Sequence, residues 1–217
     1  MENRKNNFRI LSPKISTQLG EIQSLDNIEE EDSLYEKIVY DCSIENETAE
    51  HVTFKQVIFR NVIFKEVSLR FIDLTDVIFE DCDLSNVDFY GAIIHRTKMI
   101  NCKILGANLS EAYLQNVIFD NCNGRYSTFS FSDIKKVRFE DCLLNNSNFY
   151  HCKFNKVDFT NSNLRQAQMS GTKLKDIDLS ECETDGMAVG IEELYGAVVS
   201  PIQAVDFSKL MGLNIKI

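Results

Sequence analysis

The sequence predicts a solenoid, a fold in which one short unit repeats along an axis. From Val52 to Glu181 a large apolar residue returns at every fifth position without insertion or deletion, and Gly124 is the only exception. Two residues before each large residue lies a small or β-branched one, so the pattern is small-x-large-x-x. Helices return apolar residues at three and four positions and strands at two, so a period of five fits neither. A fixed period indicates units that bury their faces against their neighbours.

Several of these units carry a family resemblance. The segments VDFYG, ANLSE, SNFYH, VDFTN and SNLRQ resemble the A-(D/N)-(L/F)-x-x signature of the pentapeptide-repeat family. The resemblance covers residues 52–182 and implies an all-β fold. In that fold the chain forms a right-handed quadrilateral parallel β-helix, with four five-residue units in each coil.

The repeat divides the chain into four segments. Residues 1–33 are a non-repeat acidic N-terminal lead, which either extends into solvent or places FRILSPKI over the first coil. Residues 34–51 are an irregular first coil or cap, and residues 52–182 are the regular β-helix. Residues 183–217 form a C-terminal cap and dimerisation segment.

The sequence predicts an α-helix over residues 200–212 that caps the last coil. Ser200 is a suitable N-cap with Gln203 three residues later, Pro201 suits the first turn, and Gly212 suits the C-terminal cap. After the helix, apolar and polar residues alternate as in a short strand. The apolar residues of this segment seal the last coil, form a dimer interface, or do both: Ile202, Val205, Leu210, Met211, Leu213, Ile215 and Ile217.

The cysteines fall on the small-residue column, which predicts free thiols that act as small apolar core residues. Cysteines stacked in successive coils would be about 4.8 Å apart, whereas a disulfide needs Cβ atoms about 3.8 Å apart. No CxxC pair is present, so neither a metal nor a cofactor is expected. The seven positions are Cys42, Cys82, Cys102, Cys122, Cys142, Cys152 and Cys182.

Gly124 interrupts the column of large core residues. In a solenoid of twenty-residue coils its neighbours in the column are Ile104 and Leu144. The missing side chain predicts that Phe131 or Tyr126 turns inward to fill the gap, or that the solenoid bends there.

Motifs and composition favour a binding protein over an enzyme. The sequence has no nucleophile elbow, phosphate-binding glycine loop or HExxH motif, so no catalytic residue is predicted. It also lacks a long apolar run and a secretory leader, which predicts a cytoplasmic protein without membrane contact. The net charge is −10, yet residues 52–182 hold 16 basic and 16 acidic residues. Attraction to a charged partner must therefore come from charges gathered on one side.

Outward residues of the same phase line up along one edge of a β-helix, and two edges differ in sign. The first, called the acidic edge, is predicted to bind a protein partner through Glu80, Asp81, Asp83, Asp120, Glu140, Asp141 and Glu181. A neighbouring basic edge has eight bases and four acids. The bases are Lys55, Arg96, Lys135, Lys136, Lys153, Lys156, Lys173 and Lys175, and the acids are Asp73, Asp76, Asp133 and Asp176.

The whole chain is similar to the Qnr-type quinolone-resistance proteins of Gram-positive bacteria, on its length, its uninterrupted coils and its ending GAVVSPIQAVDFSKLMGLNI. The resemblance implies a homodimer joined through the C-terminus. Such a dimer imitates duplex DNA and protects DNA gyrase and topoisomerase IV from fluoroquinolones, without binding nucleic acid itself. The projecting loops of the Gram-negative members have no counterpart here. The alternative is a pentapeptide-repeat scaffold for a different protein partner, which the balanced charge of the coils favours.

Overall fold

The structure, a computed structural model, describes residues 8–216 as a parallel β-solenoid that ends in short helices. The strands are β1 Gly20–Ile22, β2 Ser33–Glu45, β3 Thr48–Glu50, β4 Thr53–Lys65, β5 Ser68–Arg70, β6 Asp73–Glu80, β7 Ile93–Ile100, β8 Tyr113–Asp120, β9 Asp133–Glu140 and β10 Lys153–Asp158. The helices are α1 Ile191–Leu194, α2 Pro201–Ser208 and a 3-10 turn over Lys209–Met211. None of these helices has the length and apolar character needed to cross a membrane.

From β2 onward, each strand of the main sheet pairs with the strand twenty residues away. The sheet has the order β1-β2-β4-β6-β7-β8-β9-β10, and Thr53 of β4 lies between Ser33 of β2 and Asp73 of β6. A second sheet joins β3 to β5, and isolated bridges such as Asp83 to Lys103 continue the stacking on other faces. The predicted parallel β-solenoid with a C-terminal helix is confirmed.

The chain turns at the fifth residue of each unit because that residue adopts a left-handed backbone conformation. At one corner, for example, Asn61, Asp81, Asn101 and Asn121 have φ angles between 51° and 55°. Among non-glycine residues, asparagine and aspartate tolerate this conformation best. The turns create the corners of the solenoid and direct these side chains outward.

The core is organised around stacked phenylalanine rings. The ring centroids of Phe119 and Phe139 are 4.7 Å apart, and those of Phe139 and Phe159 are 5.1 Å apart. On the adjoining face, Phe129 and Phe149 stack at 4.8 Å. All five rings are buried. The large apolar residues of the repeat thus form a buried aromatic column, and a second one lies beside it.

The cysteines lie in the core as free thiols, as predicted. All seven are unpaired and six are buried. The sulfur atoms of the six buried cysteines contact backbone carbonyl oxygens; the Sγ of Cys142, for instance, lies 3.4 Å from the oxygen of Phe119. Burial raises the pKa of the Cys152 and Cys182 thiols to about 12. These two thiols are therefore neutral and unreactive at ordinary pH.

The predicted filling of the gap at Gly124 is wrong. Phe131 and Tyr126 are 56% and 64% exposed, because both lie at corners that direct their side chains outward. The space is taken by Leu144 and Ile104 of the adjoining coils. A Cβ atom built on Gly124 would lie 2.9 Å from Cδ2 of Leu144 and 3.3 Å from Cδ1 of Ile104.

The N-terminal lead closes the first coil. Strand β1 pairs with β2, and Ile28 is buried in the core. The backbone N–H groups of Asn27 and Ile28 each donate to a carboxylate oxygen of Glu47 at 2.9 Å. Residues 34–51 contain most of β2 and all of β3, which keep the twenty-residue register with β4 and β5.

Residues 8–16, called the N-terminal strap, run along the side of the solenoid rather than over its first coil. The N–H of Leu11 donates to Oδ1 of Asn116 at 3.2 Å, and the N–H of Lys14 donates to Oδ1 of Asp76 at 2.8 Å. Asn116 and Asp76 occupy the same corner, forty residues apart. The strap therefore crosses two coils between these contacts.

Asp76 lies beneath the strap and is 3% exposed. It accepts two N–H bonds from Arg96, each 2.6 Å long. Burial alone would raise the pKa of Asp76, but the hydrogen bonds from Arg96 and from the Lys14 backbone, with the charge of Arg96, lower that pKa below its ordinary value. The ionised carboxylate therefore stabilises the folded chain.

Helix α2 caps the last coil. Ser200 and Gln203 form the predicted capping box, with Pro201 in the first turn. The side-chain amide of Gln203 donates to the carbonyl oxygens of Leu179 and Cys182 at 2.7 and 2.8 Å. The second bond satisfies the carbonyl oxygen of Cys182 at the open end of the solenoid, while the oxygen of Leu179 also accepts from the N–H of Cys182 at 2.9 Å.

The prediction of a short strand after this helix is wrong for residues 213–216. Gly212 ends the 3-10 turn with a left-handed φ of 72°, as predicted, but residues 213–216 form no regular structure. Among residues 8–216 they pair with no strand. Ile217 lies outside the described residues.

The stacked rings give the first prediction. Changing Phe139 to alanine removes the middle ring of a buried stack and should lower the free energy of unfolding by about 3–5 kcal/mol. Urea denaturation measures the change. The matched control is Phe131→Ala, an exposed ring, which should cost less than about 1 kcal/mol. Equal losses in the two variants would contradict the assignment of Phe139 to the core.

The pair beneath the strap gives the second prediction. Asp76→Asn keeps a residue suited to the left-handed corner but removes the charge, and should cost about 1–3 kcal/mol at neutral pH. Because the folded-state pKa of Asp76 is lowered, this advantage of the wild type is complete above about pH 5 and disappears as the pH falls through that lowered pKa. Denaturation across pH measures it. Asp133→Asn, an exposed carboxylate on the same face, is the control; a similar loss there would contradict the account.

Candidate interaction surfaces

The acidic edge lies at one corner, where a ladder of side-chain amides joins the coils. Nδ2 of Asn101 donates to Oδ1 of Asp81 at 3.0 Å, and Nδ2 of Asn121 donates to Oδ1 of Asn101 at 2.9 Å. Asn161 donates to Asp141 in the same way at 2.5 Å. The sequence analysis missed this ladder, although asparagine or aspartate at intervals of twenty was a visible signal. The ladder orients the Asp81 and Asp141 carboxylates without neutralising them.

Ion pairs reduce the charge of this edge. Three of its seven carboxylates contact a base: Glu80 contacts Arg60 at 2.9 Å, Asp83 contacts Lys103 at 3.1 Å, and Glu140 contacts Arg138 at 3.9 Å. The other four, Asp81, Asp120, Asp141 and Glu181, have no ion pair within residues 8–216. All four are at least partly exposed. A partner would therefore meet a line of unpaired carboxylates flanked by partly neutralised ones.

The C-terminal end of the solenoid exposes apolar side chains. Gln203 is buried and Phe207 packs against the core, so these two residues attach α2 to the last coil. The outer side exposes the residues predicted for a dimer interface: Ile202, Val205, Leu210, Met211, Leu213 and Ile215. The sequence analysis missed Ile191, Tyr195 and Val198, which are also exposed at this end. The core pattern does not mark them, because Met187 and Val189 continue its inward positions and these three residues fall on outward ones.

The basic edge is divided by the strap. Arg96 is engaged with Asp76 beneath it, and Lys55 lies in an early coil. Six other lysines gather in the later coils and are exposed or partly exposed; this cluster, called the lysine face, consists of Lys135, Lys136, Lys153, Lys156, Lys173 and Lys175. Two open cavities adjoin it, of about 540 and 490 Å³.

Within the described chain no group of three or more histidine, cysteine or carboxylate side chains is arranged to hold a metal ion. The surfaces that remain are suited to binding other macromolecules: a corner of carboxylates, an apolar end and a lysine face.

Comparison with solved structures found matches that share little sequence identity with this chain. Full-length QnrB1, described as a plasmid-mediated fluoroquinolone resistance protein, is 17% identical, with 89% of this chain and 100% of that chain covered and a TM-score of 0.36. HetL, a pentapeptide repeat protein involved in heterocyst differentiation regulation in the cyanobacterium Nostoc, is 18% identical, with 78% and 90% covered and a TM-score of 0.32.

Sequence comparison gives a closer match. The uncharacterized protein YisX of Bacillus subtilis (strain 168) is 38% identical over 111 residues, which are 51% of this chain and 52% of that relative. The match thus spans about half the length of the relative.

Two family models match the chain. The model for the SV2A/B/C luminal domain matches residues 21–109. The model for the pentapeptide repeat region matches residues 72–149 and 134–189, which together are more than half of the chain. The chain belongs to the pentapeptide repeat family.

Proposed function

We propose that this protein imitates duplex DNA, binds the type II topoisomerases DNA gyrase and topoisomerase IV, and protects them from fluoroquinolones. The observation that carries the proposal is the line of unpaired carboxylates on the acidic edge, Asp81, Asp120, Asp141 and Glu181. The sequence resemblance to Qnr-type proteins, above all in the C-terminal segment, gives the class of partner. Binding, not catalysis, is the proposed activity, and it would take place in the cytoplasm.

The number of charges along the acidic edge, compared with the number along B-DNA of the same length, determines how closely the edge imitates DNA. Glu80 and Glu181 are five coils apart, about 24 Å at the usual strand spacing. B-DNA of that length carries about 14 phosphate charges, whereas the edge has seven carboxylates. Because three of the seven are paired with bases, the edge copies less than half of the charge, arranged as one line. A basic DNA-binding surface that follows one backbone of the duplex would be its complement.

A homodimer joined at the C-terminal ends completes the proposal. Helix α2 is fixed to the last coil by Gln203, yet Ile202 on its outer side is 78% exposed. Exposed apolar residues gathered at one end of a rod favour an interface with a second copy. Two solenoids joined in this way would form one continuous rod, about twice the length of one chain.

A scaffold for a different protein partner is the second candidate. The balanced charge of residues 52–182 favours it, as do the ion pairs that reduce the charge of the acidic edge. A scaffold would bind through local chemistry rather than through overall charge.

The third prediction concerns the acidic edge. The triple variant Asp81→Asn, Asp120→Asn, Asp141→Asn removes three charges while retaining hydrogen-bonding side chains. Asparagine already occupies the corner of Asp81 and Asp141 in other coils. Its affinity for immobilised gyrase should fall by about 3- to 100-fold, since each exposed contact contributes about 0.2–1 kcal/mol. Its melting temperature should stay nearly unchanged. Surface plasmon resonance measures the binding, which should also weaken with added salt.

The matched control changes the net charge equally on other faces: Glu36→Gln, Glu66→Gln, Asp133→Asn. It should bind as the wild type does. Equal weakening in both triple variants would mean that net charge, not the edge, attracts the enzyme. Unchanged binding by the folded edge variant would rule out the edge as the contact.

The fourth prediction concerns the dimer. Met211→Glu with Leu213→Glu places two charges on the apolar end and should give a folded monomer in size-exclusion chromatography with light scattering. Ile63→Glu is the control, because Ile63 is 49% exposed on the side of the coils and should leave the dimer intact. A wild-type monomer at micromolar concentration, or a dimer that survives the double change, would contradict the interface.

A further inference from the structure

The lysine face stacks like charges on successive coils. Lys136 and Lys156 occupy the same corner in successive coils, and Lys153 and Lys173 do the same in a nearby column. Each column also holds one carboxylate: Asp176 follows Lys156, and Asp133 pairs in register with Lys153. The strand pairing of Asn155 with Lys135 fixes this register. Successive coils are about 4.8 Å apart. Like charges at that distance destabilise a sheet.

Elsewhere the solenoid places opposite charges at the same interval. Ion pairs twenty residues apart recur along its surface: Arg60 with Glu80 at 2.9 Å, Arg138 with Asp158 at 3.2 Å, and Arg165 with Asp185 at 2.8 Å. None of the six lysines forms an ion pair with a residue in the range 8–216. The six lysines outnumber the two carboxylates in their columns, Asp133 and Asp176, so the lysine face keeps a net positive charge that an anionic partner would balance.

Two cavities adjoin Lys173 and Lys175, and the lining of each combines apolar side chains with one carboxylate, Asp176 in the larger and Glu192 in the smaller. The larger one is lined in part by Phe154, Val157 and Ile177. The smaller one is lined in part by Ile191 and Tyr195. Phe154 holds a core position of the repeat yet is only partly buried. A partner that fits this surface therefore combines negative charge with apolar side chains.

The N-terminal strap shows how an extended peptide fits this side of the solenoid. Its Leu11 and Lys14 contacts are three residues apart, about 10 Å in an extended chain, and they meet side chains two coils apart, also about 10 Å. The strap then brings Phe8 to the rim of the larger cavity. An extended segment with apolar anchors thus matches the spacing of the coils.

We propose that the lysine face binds an extended acidic segment of a partner protein. Carboxylates of the segment pair with Lys156, Lys173 and their neighbours, and apolar side chains enter the two cavities. A nucleic-acid backbone would also pair with the lysines, but it offers no aliphatic group for cavities lined by Ile177 and Ile191. The site is independent of the acidic edge, since it attracts the opposite charge.

Fluorescence anisotropy with a labelled peptide tests the proposal. The probe is a glutamate-rich peptide with two phenylalanines, which have glutamates between them and on either side. Full-length protein is titrated into the labelled peptide at low salt. Saturable binding is expected. It should weaken by about 2- to 30-fold in Lys156→Asn, Lys173→Gln, the range for losing two exposed charge contacts. Asparagine is used at Lys156 because that corner is left-handed, with φ 59°.

Three comparisons complete the experiment. The control variant Lys55→Gln, Lys98→Gln should bind as the wild type does, and a peptide with serine in place of phenylalanine should bind more weakly. Absence of saturable binding, or equal binding by wild type and the Lys156 and Lys173 variant, overturns the proposal. Tighter binding of a labelled oligothymidylate through the same lysines also overturns it, in favour of a nucleic-acid site.

Discussion

The hydrogen bonds between successive coils are the constraint on which the whole structure depends. The N–H of Leu84 donates to the carbonyl oxygen of Lys103 at 2.7 Å, and the N–H of Lys103 donates to that of Cys82 at 2.9 Å. Each residue thus pairs with others about twenty positions away on both sides. One inserted residue would displace every later side chain from its column, from core to surface. The uninterrupted five-residue pattern of the sequence follows from this requirement.

The same constraint turns the surface into columns of side chains at a fixed spacing. Where neighbours in a column have opposite charge, as Arg60 and Glu80 do, they form ion pairs and contribute little net field. Where they do not, charge accumulates, as at Asp81 and Asp141 on one side and Lys136 and Lys156 on another. Under the proposed function, recognition depends on departures from pairing within the columns rather than on the net charge.

The sequence alone predicts the features that the repeat controls: the buried column through Phe139, the free thiols and the capping box at Ser200. It does not predict features that arise from contacts between distant, non-periodic segments. The strap bonded to Asn116 is one, and the closing of the gap at Gly124 by its neighbours is another. The ion pairs that partly neutralise the acidic edge are an intermediate case. They can be predicted from opposite charges twenty residues apart, but only once the length of a coil is known.

Protection of gyrase is the central claim, and a supercoiling assay tests it most directly. DNA gyrase is inhibited with ciprofloxacin at a fixed concentration, and the purified protein is titrated into the reaction. The account predicts that supercoiling returns as the protein approaches the concentration of the enzyme, and that the acidic-edge triple variant restores less activity. If the drug inhibits equally at every concentration of the folded wild-type protein, the proposed function is wrong.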